Sequence, residues 1–227
     1  MLDVLFRETC PGCGGVSGAG FCSVCAADLP RTSNPCSGCG LSRPVARCPR
    51  QAAPWQVDAV VAPFAYAPPL DHYVQQLKYA DARSLGRALG LLLVPQVRDA
   101  CAGSDALVPV PLHPTRLRER GYNQAIEIAR PICRAMGVPM LLRGIDRRHA
   151  SPSQTGGSAA QRRAGVAAAF RVARSVAGLR IVIVDDVITT GATVNALAAE
   201  LLAAGAARCI AVAAARTAEI SGQTRNR

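Results

Sequence analysis

The chain has 227 residues, enough for one substantial core and a small satellite. Half of the residues are hydrophobic and 18% are charged, which excludes a wholly disordered chain, and no apolar run nears the roughly 20 residues that cross a bilayer. A formal charge of +11 predicts a polyanionic partner, while Asp3, Arg7 and Glu8 stand where a signal peptide is apolar; the expectation is a cytoplasmic protein without membrane insertion.

Taken in chain order, the first predicted element is a cysteine-rich head over residues 1–52. Seven of the ten cysteines lie there, as Cys10-x2-Cys13, Cys22-x2-Cys25, Cys36-x2-Cys39 and Cys48. A C-x2-C turn aims two thiolates at one tetrahedral centre, and a second such turn supplies the four ligands of a closed structural zinc site. Cys10, Cys13, Cys22 and Cys25 therefore predict a zinc ribbon; a disulfide framework is the weaker reading in a reducing compartment. Cys36, Cys39 and Cys48 predict a second metal site, whose fourth thiolate would fall at Gln51. Either that site is a remnant, or water or a distant group completes it, or the knuckles pair in another order. A zinc ion held by four thiolates carries a net charge of about −2, which lowers the effective charge of the protein.

Residues 49–54 read as a linker into a second unit over 53–217, and residues 218–227 as a disordered tail. Val57 to Tyr66 is rich in Val, Ala and aromatics and predicts extended chain. Leu70, Tyr73, Val74 and Leu77 follow the spacing of a helix face, and Ser84 to Arg98 continues as a second helix. Ala106 to Val110 predicts a strand. Asn123 to Met136 predicts a helix with Ala125, Ile126, Ala129, Ile132 and Cys133 inward, stopped by Gly137 and Pro139. Met140 to Ile145 is strand-like, and Ser158-x-x-Gln161 has the form of a capping box. Arg180 to Val184 predicts a strand buried on both faces, Ala192 to Ala204 a helix ended by Gly205, and Cys209 to Ala215 the last strand. Alternating strands and helices predict the α/β class, with a mainly parallel sheet flanked by helices. Cys101, Cys133 and Cys209 lie in apolar surroundings and read as small buried hydrophobes.

The charge is unevenly spread. Residues 111–180 hold thirteen Arg against Glu119, Glu127 and Asp146, which is almost the whole excess. Lys78 is the sole lysine among 26 basic residues. An arginine-rich codon supply explains that bias, yet the planar donor fork of Arg also suits phosphate oxygens. Lys78, in the Leu-Lys-Tyr stretch, is a candidate for lining the site, although one lysine on an amphipathic helix is more often a solvated or snorkelling side chain.

The most informative segment runs from Ile181 to Thr193. Four apolar residues are followed by Asp185 and Asp186, the chain's only adjacent acidic pair, and then by a Thr/Gly turn into a helix. Ligands of open parallel sheets bind at the carboxyl ends of strands, which places the acids at a pocket mouth. Backbone N–H groups at the helix start, with the Thr190 and Thr193 hydroxyls, are how a phosphate monoester is held. Asp185 and Asp186 can accept hydrogen bonds from vicinal hydroxyls or hold Mg²⁺, and a helix cap alone needs one such residue rather than two Asp and three Thr around a Gly. The pattern predicts a sugar phosphate.

This segment resembles the 5-phosphoribosyl-1-pyrophosphate (PRPP) motif of type I phosphoribosyltransferases. The cysteine knuckles, Leu77-Lys78-Tyr79, Val108 to Leu112, Arg120-Gly121-Tyr122-Asn123-Gln124, Gln154-Thr155-Gly156, Gln161-Arg162-Arg163 and the Asp-Asp turn together resemble the ComF competence family, in the family's order from Cys10 to about Arg216. The resemblance implies a type I phosphoribosyltransferase fold behind a zinc ribbon. It implies catalytic and ribose-binding roles for Asp185 and Asp186, and 5-phosphate binding by Thr189, Thr190, Gly191, Ala192 and Thr193. Arg116 and Arg120, in the place of the pyrophosphate loop, become candidates for the diphosphate, and Arg147 to Arg163 occupies the place of a mobile hood. Purine-type relatives of this fold carry an acidic residue where this chain has Thr189, which weakens a purine-salvage reading.

Two functions follow from the resemblance. One is a phosphoribosyl-transferring enzyme with Zn as structural metal, Mg arriving with PRPP, and an unknown acceptor. The other is a non-catalytic competence protein that handles single-stranded DNA in natural transformation, beside a competence helicase, with the ribose-phosphate cradle as a binding scaffold. Aromatics make up 4% of the chain, too few for a base-stacking platform, so any grip on DNA is expected to be electrostatic.

Overall fold

The structure, a computed structural model, describes residues 9–18, 20–44, 48–52, 55–148 and 169–218. Along the chain come α1 (Ser23–Ala27), α2 (Pro49–Ala52), β1 (Val60–Val61), β2 (Phe64–Ala65), α3 (Leu70–Tyr79), α4 (Arg83–Val97) and β3 (Ala106–Pro109). These are followed by α5 (Pro114–Arg120), α6 (Gln124–Met136), β4 (Ile145–Arg147), β5 (Phe170–Val172), β6 (Arg180–Ile188), α7 (Ala192–Ala203) and β7 (Arg208–Arg216). The expected linker at residues 49–54 is in part a helical turn, α2.

The central sheet is parallel throughout and ordered β1, β7, β6, β3, with β2 following β1 along the same edge of β7. Beyond β3, among the described residues, only Met140 bridges, to Leu107; the strand expected over Met140 to Ile145 instead begins at Ile145, where β4 pairs antiparallel with β5. Strands buried on both faces need helices on each side, and the apolar runs of β6 and β7 have them. Val182, Val184, Ile210 and Val212 face a cluster built from α3, α4 and α6, whereas Ile181, Ile183, Ala211 and Ala213 face α7 and β5.

Two helices of the first layer are unusually close. A Cβ on Gly90 of α4 would run into the Ile128 carbonyl of α6, and one on Gly86 would meet Glu127 Cβ. Of the positions expected inward on α6, Ile126 is only half-buried and Ile128 is buried in its stead. Asn123 caps this helix by accepting the Ala125 N–H at 2.9 Å.

The cysteine-rich head packs onto the same layer. Cys10, Phe21 and Leu29 belong to the cluster that holds Leu70, Val74 and Leu77, and the Phe21 and Tyr73 rings lie 5.1 Å apart. Backbone bonds stitch the head to the sheet edge, from Ala65 N–H to Pro30 O at 2.7 Å and from Val60 N–H to Ser37 O at 2.9 Å.

Candidate functional site

The strand expected to stop at Val184 continues to Ile188, so Asp185 and Asp186 lie within β6 near its carboxyl end. Asp186 falls on the α3 side. Its side chain is 5% exposed, and Oδ2 lies 3.0 Å from Lys78 Nζ, on a side chain 24% exposed. Of the two readings of Lys78, a site-lining residue and a solvated one, the geometry favours the first: the last turn of α3 delivers its ammonium to the acidic pair. Burial opposes that charge, but Asp186 and then Asp185 overrule it and hold Lys78 above the usual lysine range. The other Asp186 oxygen, Oδ1, accepts the Val187 N–H at 2.7 Å, and Asp185 Oδ1 accepts the Asp186 N–H at 2.9 Å. Burial of the Asp185 carboxyl, then the neighbouring Asp186 charge, push its pKa up to about 7, against the pull of Lys78 and Arg147.

The chain then turns through Thr189 and Thr190, both exposed, to Gly191 at φ 81°, which opens α7 without a side-chain cap. The first turn of α7 thus starts beside the carboxyl end of β6, and a helix N-terminus in that place suits an anion. The Thr190 hydroxyl accepts the Ala192 N–H at 3.3 Å. Trp55, the sole tryptophan, lies flat enough on Gly191 that any Cβ there would enter its ring, and the Gln56 N–H donates to Asn195 Oδ1 on the next turn of α7. Nothing in the sequence marked Trp55 except its being unique.

Arg147, at the end of β4, lies over the Phe170 ring at 5.3 Å and feels both Asp185 and Arg116. Burial lowers its pKa, Asp185 raises it and Arg116 lowers it further, so the three side chains share one electrostatic environment. Arg116 is half exposed, with Glu119 4.0 Å away. Arg120 is engaged elsewhere: Nη1 donates to Gln124 Oε1 at 2.6 Å and the guanidinium lies over the Tyr79 ring at 5.5 Å. The segment from Pro111 to Arg120, expected as a loop, contains α5, opened by His113 and Pro114. Residues 149–163 of the expected hood, including the Ser158-x-x-Gln161 box, lie outside the described residues, as do residues 219–227 of the expected tail.

The Arg120 to Gln124 motif is explained by packing. Tyr122 Oη donates to the Leu77 carbonyl, one of the orphan acceptors at the end of α3, and Asn123 Nδ2 donates to Val110 O at 2.9 Å. One residue fixes the turn that carries Lys78 and the other fixes the end of β3.

The cysteines form two groups, Cys10, Cys13, Cys22 and Cys25, and Cys36, Cys39 and Cys48, with sulfurs within 4.8 Å of one another in each. The two are built alike. Cys10 N–H donates to Gly15 O and Gly14 N–H to Cys10 O; twenty-six residues later Cys36 N–H donates to Leu41 O and Gly40 N–H to Cys36 O. Thr9 bridges Val16 as Pro35 bridges Ser42, and α1 and α2 start after Cys22 and Cys48. Gln51 is thus the counterpart of Cys25. The donor sets fit a thiophilic metal: burial opposes a thiolate at Cys10, but N–H groups of Cys22, Cys13 and Gly12 bring it down to about 6, while the Cys22 sulfur and then burial push Cys25 up to about 12. Only a cation at the centre lets all four ionise together. In the second group burial again opposes the charge, and N–H groups of Cys39 and Gly38 with the Arg43 guanidinium bring Cys36 down to about 7. Cys101, Cys133 and Cys209 are buried as expected, with thiols pushed up by burial.

Arg216 joins this region to the acidic site. It is buried at the end of β7, donating from Nε to Cys39 O at 2.9 Å and from Nη1 to Ile188 O at 2.9 Å and to Thr189 O.

The profile of the phosphoribosyl transferase domain family matches residues 123–222. DNA utilization protein YhgH of Salmonella typhi is 37% identical over 198 residues, covering 83% of this chain and 86% of the relative. Competence protein F of Haemophilus influenzae is 32% identical over 206 residues, covering 84% and 89%. The chain belongs to the ComF family. Among solved structures, glutamine PRPP amidotransferase of B. subtilis complexed with ADP and GMP matches at 23% identity and a TM-score of 0.43, over 62% of this chain and 30% of that one. The ComF-family chain therefore has a phosphoribosyltransferase domain with a mostly parallel sheet flanked by helices, behind a cysteine-rich N-terminal region able to hold metal. Among its described residues no helix is long and apolar enough to cross a membrane.

Proposed function

We propose that the chain binds PRPP or a related ribose phosphate with Mg²⁺ at the carboxyl end of β6, and serves the handling of incoming DNA in natural transformation. One observation carries the reading: two adjacent carboxylates, one almost wholly buried, stand beside a Thr/Gly turn that presents the N-terminus of α7. In this reading Asp185 and Asp186 accept the ribose hydroxyls, and Thr189 to Thr193 hold the 5-phosphate. Arg116, with Arg147, receives the diphosphate, and Arg120 contributes only by leaving Gln124 and Tyr79. Mg²⁺, bound to the diphosphate, would neutralise charge as pyrophosphate leaves C1.

If transfer occurs, the C1–O bond to pyrophosphate breaks and a bond from C1 to an acceptor forms. With Thr189 where purine enzymes carry an acid, the acceptor is not expected to be a purine base. The names of the YhgH and competence relatives support the DNA role, and the arginine excess of residues 111–180 suits a phosphate backbone. In this reading the two cysteine groups hold structural zinc, and free thiolate ligands of this kind suit the reducing cytoplasm.

Calorimetric titration with PRPP and Mg²⁺ tests the site. Wild type binds, and the double variant Asp185→Asn with Asp186→Asn loses binding; unchanged affinity in that variant refutes the assignment.

A further inference from the structure

The acidic pair already has a cation of its own. Asp186 Oδ1 accepts the Val187 N–H, and Oδ2, buried and without a hydrogen bond among the described residues, has the Lys78 ammonium as its ion-pair partner at 3.0 Å. Asp185 commits Oδ1 to the Asp186 N–H and feels Lys78 and Arg147. Lys78 and Arg147 are thus the cations of the fold that act on the pair.

The lysine is also held in place. It occupies the last turn of α3, its neighbour Leu77 is fully buried, and the Leu77 carbonyl is secured by Tyr122 Oη. A small divalent cation binds carboxylate oxygen at about 2.0–2.1 Å in a strict octahedron. With an ammonium on the same oxygen it would meet a like charge at close range and find one coordination direction closed.

We propose that Lys78 is the resident counter-cation of the Asp185–Asp186 pair, standing where a divalent metal would otherwise bind and excluding metal from the unliganded site. The chemical consequence rests on the ribose-phosphate reading: metal enters only on a ligand that brings a diphosphate, whereas a ribose phosphate lacking one binds without it. Lys78 then acts as a positioning residue, holding the Asp186 carboxyl in place beside the ligand hydroxyls.

The test uses the full-length, zinc-loaded chain with Mn²⁺ as probe, its free ion counted by electron paramagnetic resonance. Wild type and Lys78→Arg leave the free Mn²⁺ signal undiminished, and Lys78→Met acquires one site, roughly tenfold or more tighter than any in wild type. Adding Asp186→Asn to Lys78→Met abolishes that site. Mn²⁺ binding by wild type that Asp185→Asn with Asp186→Asn removes overturns the proposal, and this arm stands even if Lys78→Met does not fold. Failure of a folded Lys78→Met to gain Mn²⁺ overturns it as well. A calorimetric arm separates the two readings: ribose 5-phosphate binds wild type equally with and without Mg²⁺ and binds Lys78→Met more tightly with it. If neither ribose 5-phosphate nor PRPP binds wild type while the Mn²⁺ pattern holds, the ribose-phosphate reading fails and the counter-cation assignment stands.

Discussion

Asp185 changes charge close to neutral pH, because burial and the Asp186 carboxylate raise its pKa from 3.8 to about 7. The fold favours its protonated form. Its contribution to stability is therefore complete below the unfolded value and is lost as pH rises through about 7. Urea midpoints of wild type, measured between about pH 5 and about pH 8, should fall relative to those of Asp185→Asn. A gap between the two proteins that stays constant over this range would show that Asp185 is not held protonated. The acids and the Thr/Gly turn were legible in the sequence because their chemistry is local to one segment. Lys78 was legible only as one of two alternatives, since its partner lies more than a hundred positions away and an amphipathic helix gives every exposed lysine the same appearance. Trp55 and Arg216 are of the same kind: their contacts with Gly191 and Thr189 come from chain segments brought together only by the sheet.

At the scale of elements, long periodic segments were predictable within a residue or two, as α4, α6, α7 and β7 show. Short ones were not. α2 and α5 span a turn or two each, and β5 is three residues long, so none carries enough periodic residues to declare itself. β6 outran its expected end because the register with β7 continues to Ile188 paired with Arg216, and carboxylates are tolerated in a strand where cations meet them. The approach of α4 to α6 rests on Gly86 and Gly90. Gly90→Ala should destabilise the protein by about 1–3 kcal/mol through overpacking against the Ile128 carbonyl, read as a lower urea midpoint. A variant as stable as wild type would mean the two helices can part at little cost.

Across the whole molecule, the cysteine head is a duplicated knuckle whose copies differ in the fourth ligand. The first centre has Cys25 where the second has Gln51, so their affinities should differ. A chelator of moderate strength, followed by elemental analysis, should strip zinc in two steps, with Cys36, Cys39 and Cys48 emptied first. Gln51→Cys should merge the steps. Single-step loss from wild type would show that the second centre recruits a ligand as good as a thiolate. The cysteine spacing announced this head from the sequence; its seating was hidden, because it runs through backbone bonds and through contacts such as Phe21 on Tyr73 whose partners lie far apart along the chain.

Arg216 sets an order of assembly. Within the sheet β1 and β2 pair with β7, and the guanidinium that ties Cys39 to the Ile188–Thr189 turn sits at the end of that same strand. A chain growing from its N-terminus makes both cysteine groups first and Arg216 almost two hundred residues after the second begins. β1, β2 and the Ile188–Thr189 turn reach their final places only when the last strand lies between what was made first and what was made just before it. The protein closes like a clasp, with its earliest and latest segments as the two halves.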